Sequence, residues 1–393
     1  MIFTNDASDV IGRTVCDMLA IKALSGEEGP MADYVAAQLK SYGLDVERDE
    51  EDNVCAAIEP HAPGDPKQNT IHLSGHTDTV VPVEGWTTDP WKPEIIGSGD
   101  ERKIVGLGAS DMKSGLGIML HLAKHFAKNR LEHLRILVSF TVCEEMPAKN
   151  KRNGVNKIVV RHPGRWAITT EASCDTTSPT IALGCQGHAV ATVKLQGKSA
   201  HSARPDRGLN AISAAGKIAQ RVDAMNAAYP DIPILGDVRA RAAAAVTLIK
   251  GGAAANIIPE FCEMTISRRI APGETKATVE AELAELTRDL GGVSAKWSVR
   301  NDAPACVVDK QGPLLKCASD AAQTLFGQAR YTWNRARTDC VLFAQAGMDV
   351  INIGPGSMGQ AHVAGESVRV ADLPKAANLV AETMLRLDKF LAK

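Results

Sequence analysis

His76, Asp111, the Glu144-Glu145 pair, Glu171 and His362 are the residues of this 393-residue chain whose types best suit chemistry. They are far apart in sequence, yet most follow the same kind of neighbour. TIHLSG (70–75) runs into His76, and LRILVSFTV (134–142) runs into Cys143-Glu144-Glu145. WAITT (166–170) runs into Glu171, and DVINI (349–353) precedes Gly354-Pro355-Gly356 and then His362. Apolar runs without clean alternation predict strands buried on both faces, as in a parallel sheet. Ligands of such sheets gather beyond the carboxyl ends of the strands. Imidazoles and carboxylates converging there predict a centre for two divalent cations. Three carboxylates (Asp111, Glu145 and Glu171) over-compensate one such ion, whereas two ions with a hydroxide come close to neutral, and uncompensated buried charge is costly. Glu144 is then spare beside a ligand and available as a base. Asp78, two residues after His76 and on the same side of an extended segment, is placed to hold the imidazole in one tautomer.

The segments SGHTDTVVPVEGW (74–86), GLGASDMKSGLG (106–117) and CEEM (143–146) resemble the acetylornithine deacetylase and succinyl-diaminopimelate desuccinylase family. So do GKSAHSARPDRGLNAI (197–212), GGAAANIIP (251–259), RRIAPGET (268–275) and GPGSMGQAH (354–362), in the family's order. These are co-catalytic zinc amidohydrolases and exopeptidases, and HTDTV with GPGS-x-x-QAH looks most like the acetylornithine deacetylase branch. The resemblance implies His76 and Glu171 on one metal, Glu145 and His362 on the other, Asp111 bridging them and Glu144 as general base. It implies a cis peptide after Asp111. His201 resembles the histidine that polarises the scissile carbonyl, and Arg269 and Asn256 the residues that receive the substrate's carboxylate and backbone. It also implies a homodimer through an inserted domain, with His201 reaching the partner's site.

The chain departs from that pattern at Cys143 (usually aspartate), at Met146-Pro147, at Ser267 in the D-x-R position and at Ala336 before Arg337-Thr338-Asp339. None of these is a proposed ligand or the base. The leading substrate is N-acetylornithine, hydrolysed to ornithine and acetate; succinyl-diaminopimelate or a dipeptide is the alternative within the family. An acidic residue facing an ornithine ammonium would favour the former, and an added basic residue the latter. The alternative of another class is a metal-binding homologue without catalysis, against which the intact Glu144 and ligand set argue. The ions expected are zinc, with cobalt or manganese also suited to mixed imidazole–carboxylate ligands.

The elements that must position these groups read as one domain inserted in another. Alternating helical and strand patterns over 1–185 predict an α/β zinc-exopeptidase-like domain with a mostly parallel sheet. A βαββαβ order over 186–302 predicts a ferredoxin-like α+β insertion, and 303–393 is expected to complete the first domain. His121 and His125 are expected on a solvated helix face, and the run Lys149–Arg152 in a surface loop. Formal net charge is −2 with a pI near 6.6, which favours neither nucleic acid nor an anionic membrane as partner. No apolar stretch approaches the length of a membrane span. MIFTNDASDV lacks the features of a signal peptide, and nine cysteines without a C-x-x-C pair predict reduced thiols in a cytoplasmic protein.

Overall fold

The computed structural model describes residues 1–4, 7–146, 148, 152–174 and 179–393. Pro147 and residues 149–151 of the basic run therefore lie outside the described residues. Along the chain come α1 (Ala7–Leu19), α2 (Gly29–Ser41), β1 (Val46–Arg48), β2 (Val54–Ile58), β3 (Thr70–His76), α3 (Lys113–Lys128), β4 (Arg135–Thr141), α4 (Val155–Arg161), β5 (Trp166–Thr169) and β6 (Ile181–Cys185). There follow β7 (Gly187–Gln196), α5 (Ala211–Ala228), β8 (Ala243–Gly251), β9 (Phe261–Ile270), α6 (Lys276–Leu286) and β10 (Ser294–Ala303). The last stretch holds α7 (Pro313–Phe326), β11 (Asp349–Asn352) and α8 (Asp372–Leu391). Among the described residues no helix is long and apolar enough to cross a membrane.

The chain divides into two compact units, Met1–Gly184 with Val308–Thr332 and Leu342–Lys393, and Cys185–Val307 with Trp333–Val341. The expected uninterrupted return to the first domain from 303 is thus corrected: Trp333–Val341 goes with the second unit. The Gln186 N–H donates to the Asn334 carbonyl at 3.0 Å, a long-range backbone bond that leaves no local pattern in the sequence.

In the first unit the main sheet runs β1-β2-β4-β3-β5-β11-β6. The four central strands β4, β3, β5 and β11 are parallel, and the flanking pairs β1–β2, β2–β4 and β11–β6 are antiparallel. Every residue of β3 is buried, as its unbroken apolar pattern requires. Register aligns the strand ends: His76 lies opposite Thr141, Ser74 opposite Thr169, and Thr169 opposite Asn352. The loops that follow these strands therefore leave the same end of the sheet, those of β3 and β4 two residues beyond those of β5 and β11.

Helix α3 starts immediately after Asp111-Met112 and is buried along most of its length against β3 and α1. Its third residue, Gly115, meets the main chain just past the end of β5: a Cβ there would collide with the Thr170 carbonyl oxygen, one residue before Glu171. His121 and His125 differ from expectation, being half-buried rather than solvated. The His121 ring nitrogen Nε2 lies 2.9 Å from Thr14 Oγ1 of α1, and the His125 ring packs on Phe3 and Phe126.

The second unit is an antiparallel four-stranded sheet in the order β8-β9-β7-β10, with α5 and α6 interleaved in βαββαβ sequence. Alternation along β7 and β9 puts Ala189, Ala191 and Val193 with Met264 and Ile266 into a core shared with Ile218 and Val222 of α5 and Leu283 of α6. A hairpin of Asp231–Leu235 and Val238–Arg241 interrupts the path from α5 to β8; the sequence pattern did not signal it.

Gly115→Ala separates two opposing effects. Helix propensity favours alanine by about 1 kcal/mol, whereas overpacking a close backbone approach costs about 1–3 kcal/mol. The collision with Thr170 is expected to win, so urea unfolding should show a lower midpoint with an unchanged slope. An unchanged or higher midpoint would mean that α3 does not approach β5 this closely.

Candidate metal centre and substrate groups

His76 ends β3 and is 1% exposed. Its Nδ1 lies 3.0 Å from the backbone carbonyl of Asp78, with the Asp78 carboxylate at 3.6 Å. The tautomer is therefore set chiefly by the Asp78 carbonyl, which accepts from Nδ1–H and leaves Nε2 facing Asp111 Oδ1 at 3.1 Å. The Asp78 carboxylate does a different job from the one its spacing suggested. It accepts from the Glu144 and Glu145 backbone N–H groups, each at 3.1 Å, and from the Ser25 hydroxyl at 2.7 Å. One buried carboxylate thus fixes the loop that carries the proposed base and a proposed ligand.

Asp111 is held from the opposite side. Its backbone N–H donates to Glu366 Oε1 at 2.8 Å, and Glu366 also accepts from Ser110 N (2.7 Å) and Gly108 N (2.8 Å). The peptide bond between Asp111 and Met112 is cis. Cys143 adopts a positive φ of 57° ahead of the glutamate pair, a left-handed conformation that turns the chain as it leaves the sheet. Its N–H and thiol both meet Glu28 Oε1, at 3.2 and 3.4 Å. Burial and the nearby Glu28 charge push the thiol up to about 12, so it remains a neutral donor.

His76, Asp111 and Glu145 offer ligand atoms that all lie within 4.8 Å of one another. His362, at a φ of 59°, joins them: its Nε2 is 2.9 Å from Glu145 Oε2 and 3.7 Å from Asp111 Oδ2. Glu171 stands outside that mutual group, 3% exposed just beyond β5, where the Thr170 N–H is bonded to the Ser74 carbonyl. Glu144 is half-buried beside Glu145.

Electrostatics show what these groups lack. Burial lowers the His76 pKa, but Asp111 and Asp78 outweigh it and hold the ring well above its ordinary value. Burial raises the Glu145 carboxyl, and the Asp111 charge adds to that, against the pull of His362. Burial takes Glu366 up to about 7 despite its three backbone donors. Burial would raise Asp78 too, yet His76, Ser25 and the Glu144 N–H bring it below its usual range. The centre is a buried, anion-rich cluster that draws positive charge, and its imidazole nitrogens and carboxylate oxygens already converge. That donor set fits divalent cations of the zinc, cobalt and manganese kind.

The remaining three predicted residues lie in the second unit. Ala200–His201 pairs with Ile257–Ile258, and the Ser202 N–H donates to the Asn256 carbonyl at 2.9 Å, so His201 and Asn256 are neighbours. The His201 side chain is exposed, its Nδ1 accepting from Ala203 N at 3.1 Å. Arg269 is separated from its neighbour Arg268 by strand alternation. Arg268 turns inward, stacks on Tyr229 and is bound by Glu274 and Glu282. Arg269 turns to the other face, where it lines a cavity of about 360 Å³ with Gln186, Asn226, Arg241 and Arg335. Among the described residues the side chain of neither Arg269 nor Arg335 has a hydrogen bond or ion pair. Ser267 contacts His188 Nε2 at 3.0 Å. Burial and the charges of Arg269 and Arg337 push that imidazole down to about 4. With serine in place of aspartate, this face keeps its positive charge.

Sequence reasoning missed Glu366, Glu28 and Ser25. All three act on backbone or loop groups far away in the chain, and only the lone Glu366, four residues after His362, offered a local hint.

The sequence profile of Peptidase family M20/M25/M40 matches residues 72–386. The succinyl-diaminopimelate desuccinylase of Corynebacterium glutamicum is 27% identical over 368 residues, covering 92% of this chain and 93% of that one. The acetylornithine deacetylase of Myxococcus xanthus is 26% identical over 400 residues, covering 97% and 98%. Identities this similar do not separate the two branches. In fold, the chain is similar to the YXEP protein of Bacillus subtilis, a dinuclear metal binding peptidase from the M20 family. That likeness has a TM-score of 0.75 at 17% identity over 98% of this chain and 99% of that one. With the profile spanning all four strand-end ligand segments and the inserted unit, the chain belongs to Peptidase family M20/M25/M40, whose members are metal-dependent hydrolases.

Proposed function

We propose that the chain hydrolyses the amide bond of an N-acyl amino acid that carries a further carboxylate, in the manner of succinyl-diaminopimelate. The observation that carries the hydrolysis is the anion-rich centre at the strand ends of the first unit; the arginine-lined cavity within the second unit supports the preference for an added carboxylate. His76 and Glu171 would hold one divalent ion, Glu145 and His362 the other, and Asp111 both. When bound, such ions polarise the acyl carbonyl and lower the pKa of water toward neutrality.

Glu144 accepts the proton of the attacking water and delivers it to the nitrogen of the leaving amine as the C–N bond breaks. The bond from its N–H to Asp78 keeps its backbone fixed during the transfer. His201 donates to the developing oxyanion, and Asn256 binds substrate backbone atoms. Arg269 takes the α-carboxylate through its bidentate fork. Arg335 and Arg241, in the same cavity, favour a second anionic group over the ammonium of N-acetylornithine.

We further propose a homodimer through the second unit. Its outer strand β8 leaves one edge open and exposes Leu248 and Ile249 by 61% and 54%. In that dimer His201 serves the neighbouring subunit's centre.

Glu144→Gln is expected to keep the fold and metal content while lowering kcat by about two or more orders of magnitude. A panel of N-succinyl and N-acetyl amino acids, followed by amine release, should show the wild-type enzyme favouring dicarboxylic substrates. Undiminished turnover in a metallated Glu144→Gln enzyme would remove the base assignment, and preference for N-acetylornithine would remove the substrate assignment.

Mixing Glu144→Gln subunits with His201→Ala subunits tests the assembly. Heterodimers should regain one working site if the histidine acts across the interface. Verified heterodimers that stay inactive would contradict that arrangement.

A further inference from the structure

A second cluster of potential ligands lies in the first unit, on residues that the hydrolytic reading does not use. Glu47 of β1 and Cys55 of β2 are directly opposite one another in the antiparallel ladder, which puts both side chains on one face of the sheet. His162 caps the C-terminus of α4, its N–H bonded to the Ile158 carbonyl. Ile158 packs with Cys55 and Leu137, seating the helix end on that same face.

The three side chains meet at a single ring nitrogen. His162 Nε2 lies 3.2 Å from Glu47 Oε2 and 3.6 Å from Cys55 Sγ, and the three ligand atoms are all within 4.8 Å of one another. One nitrogen does not satisfy both neighbours. As a donor to Glu47 it has no lone pair for the thiol, and as an acceptor from the thiol it sets its lone pair against the carboxylate. A cation in the middle satisfies all three together. The spacing fits one: zinc bonds of about 2.3 Å to sulfur and 2.0–2.1 Å to nitrogen and oxygen give tetrahedral edges of about 3.6 Å (S to N) and 3.4 Å (N to O).

We propose that Glu47, Cys55 and His162 form a separate binding site for one thiophilic divalent cation of the zinc class, with its fourth position open to water. A thiolate and a carboxylate balance the charge of such an ion. Glu47 is largely exposed and gives the ion a path from solvent, whereas Cys55 is 2% exposed and anchors it to the sheet. The ion clamps the edge strand β1 to α4. That helix follows the loop that begins with the glutamate pair, and the loop is closed at its base by the Gly154 N–H donating to the Val142 carbonyl at 2.9 Å.

Cobalt(II) reads this site apart from the hydrolytic centre, because only a thiolate ligand gives an intense near-ultraviolet sulfur-to-cobalt charge-transfer band. The full-length, metal-stripped protein is titrated with Co²⁺ and followed by absorbance, with activity measured alongside. The expected result is a saturable band for one equivalent beyond those that restore activity. Cys55→Ser should abolish the band, and His162→Gln should weaken the cobalt affinity of that phase by at least about tenfold. Amide hydrolysis should be unchanged in both. Absence of the band in the wild-type protein at saturating cobalt would overturn the site, as would a band that survives Cys55→Ser. Should Cys55→Ser fail to fold, His162→Gln decides, and an unchanged affinity for the band-forming ion would overturn the proposal.

Discussion

The shared end of the sheet at which four parallel strands stop is the constraint from which the rest of this centre follows. Register along β4, β3, β5 and β11 sets Ser139, Ser74, Thr169 and Asn352 in one row, with Thr141 and His76 paired just beyond it. His76, Asp78, Glu144, Glu145 and Glu171 leave from that row or a few residues beyond it, and His362 and Glu366 follow on the longer loop after β11. Asp111 is brought in by the start of α3, whose close approach to β5 requires glycine at 115. So many carboxylates in a buried place are tolerable only when their charge is met, since an uncompensated buried ion costs several kcal/mol. The structure meets part of it with backbone N–H groups: three to Glu366 and two to Asp78. The remainder is a demand for cations that the convergent ligand atoms are shaped to satisfy.

A second physical rule, the alternation of side chains along a strand, divides the labour of two adjacent arginines. Arg268 faces the helices and is neutralised by two glutamates, which makes it a structural residue. Arg269, one position on, faces a cavity where other guanidinium groups gather and where Ser267 supplies no compensating carboxylate. The positive potential left there is available to an anionic ligand.

Much of this was legible in the sequence because it depends on short-range pattern. Unbroken apolar runs marked the buried parallel strands, and His76 and Glu145, at or past their ends, offer ligand atoms within 4.8 Å of each other and of Asp111. The βαββαβ order of the second unit was readable for the same reason, from period-2 and period-3.6 alternation. What could not be read rests on contacts between distant segments. Glu366 and Glu28 hold backbone groups more than a hundred residues away, and Asp78 turned out to use its carbonyl for the imidazole and its carboxylate for the glutamate loop. Trp333–Val341 belongs with the second unit through pairings of the same kind. The meeting of Glu47, Cys55 and His162 likewise depends on strand register and helix placement, and the three leave no motif.

One aspartate at the head of α3 is expected to organise a two-ion centre between the strand ends. Anomalous diffraction from crystals grown with zinc, collected on both sides of the zinc edge, tests it most directly. The expected result is two adjacent zinc peaks that share Asp111, one completed by His76 and Glu171 and the other by Glu145 and His362. A single peak at the strand ends, or a pair of ions neither of which touches Asp111, would contradict it.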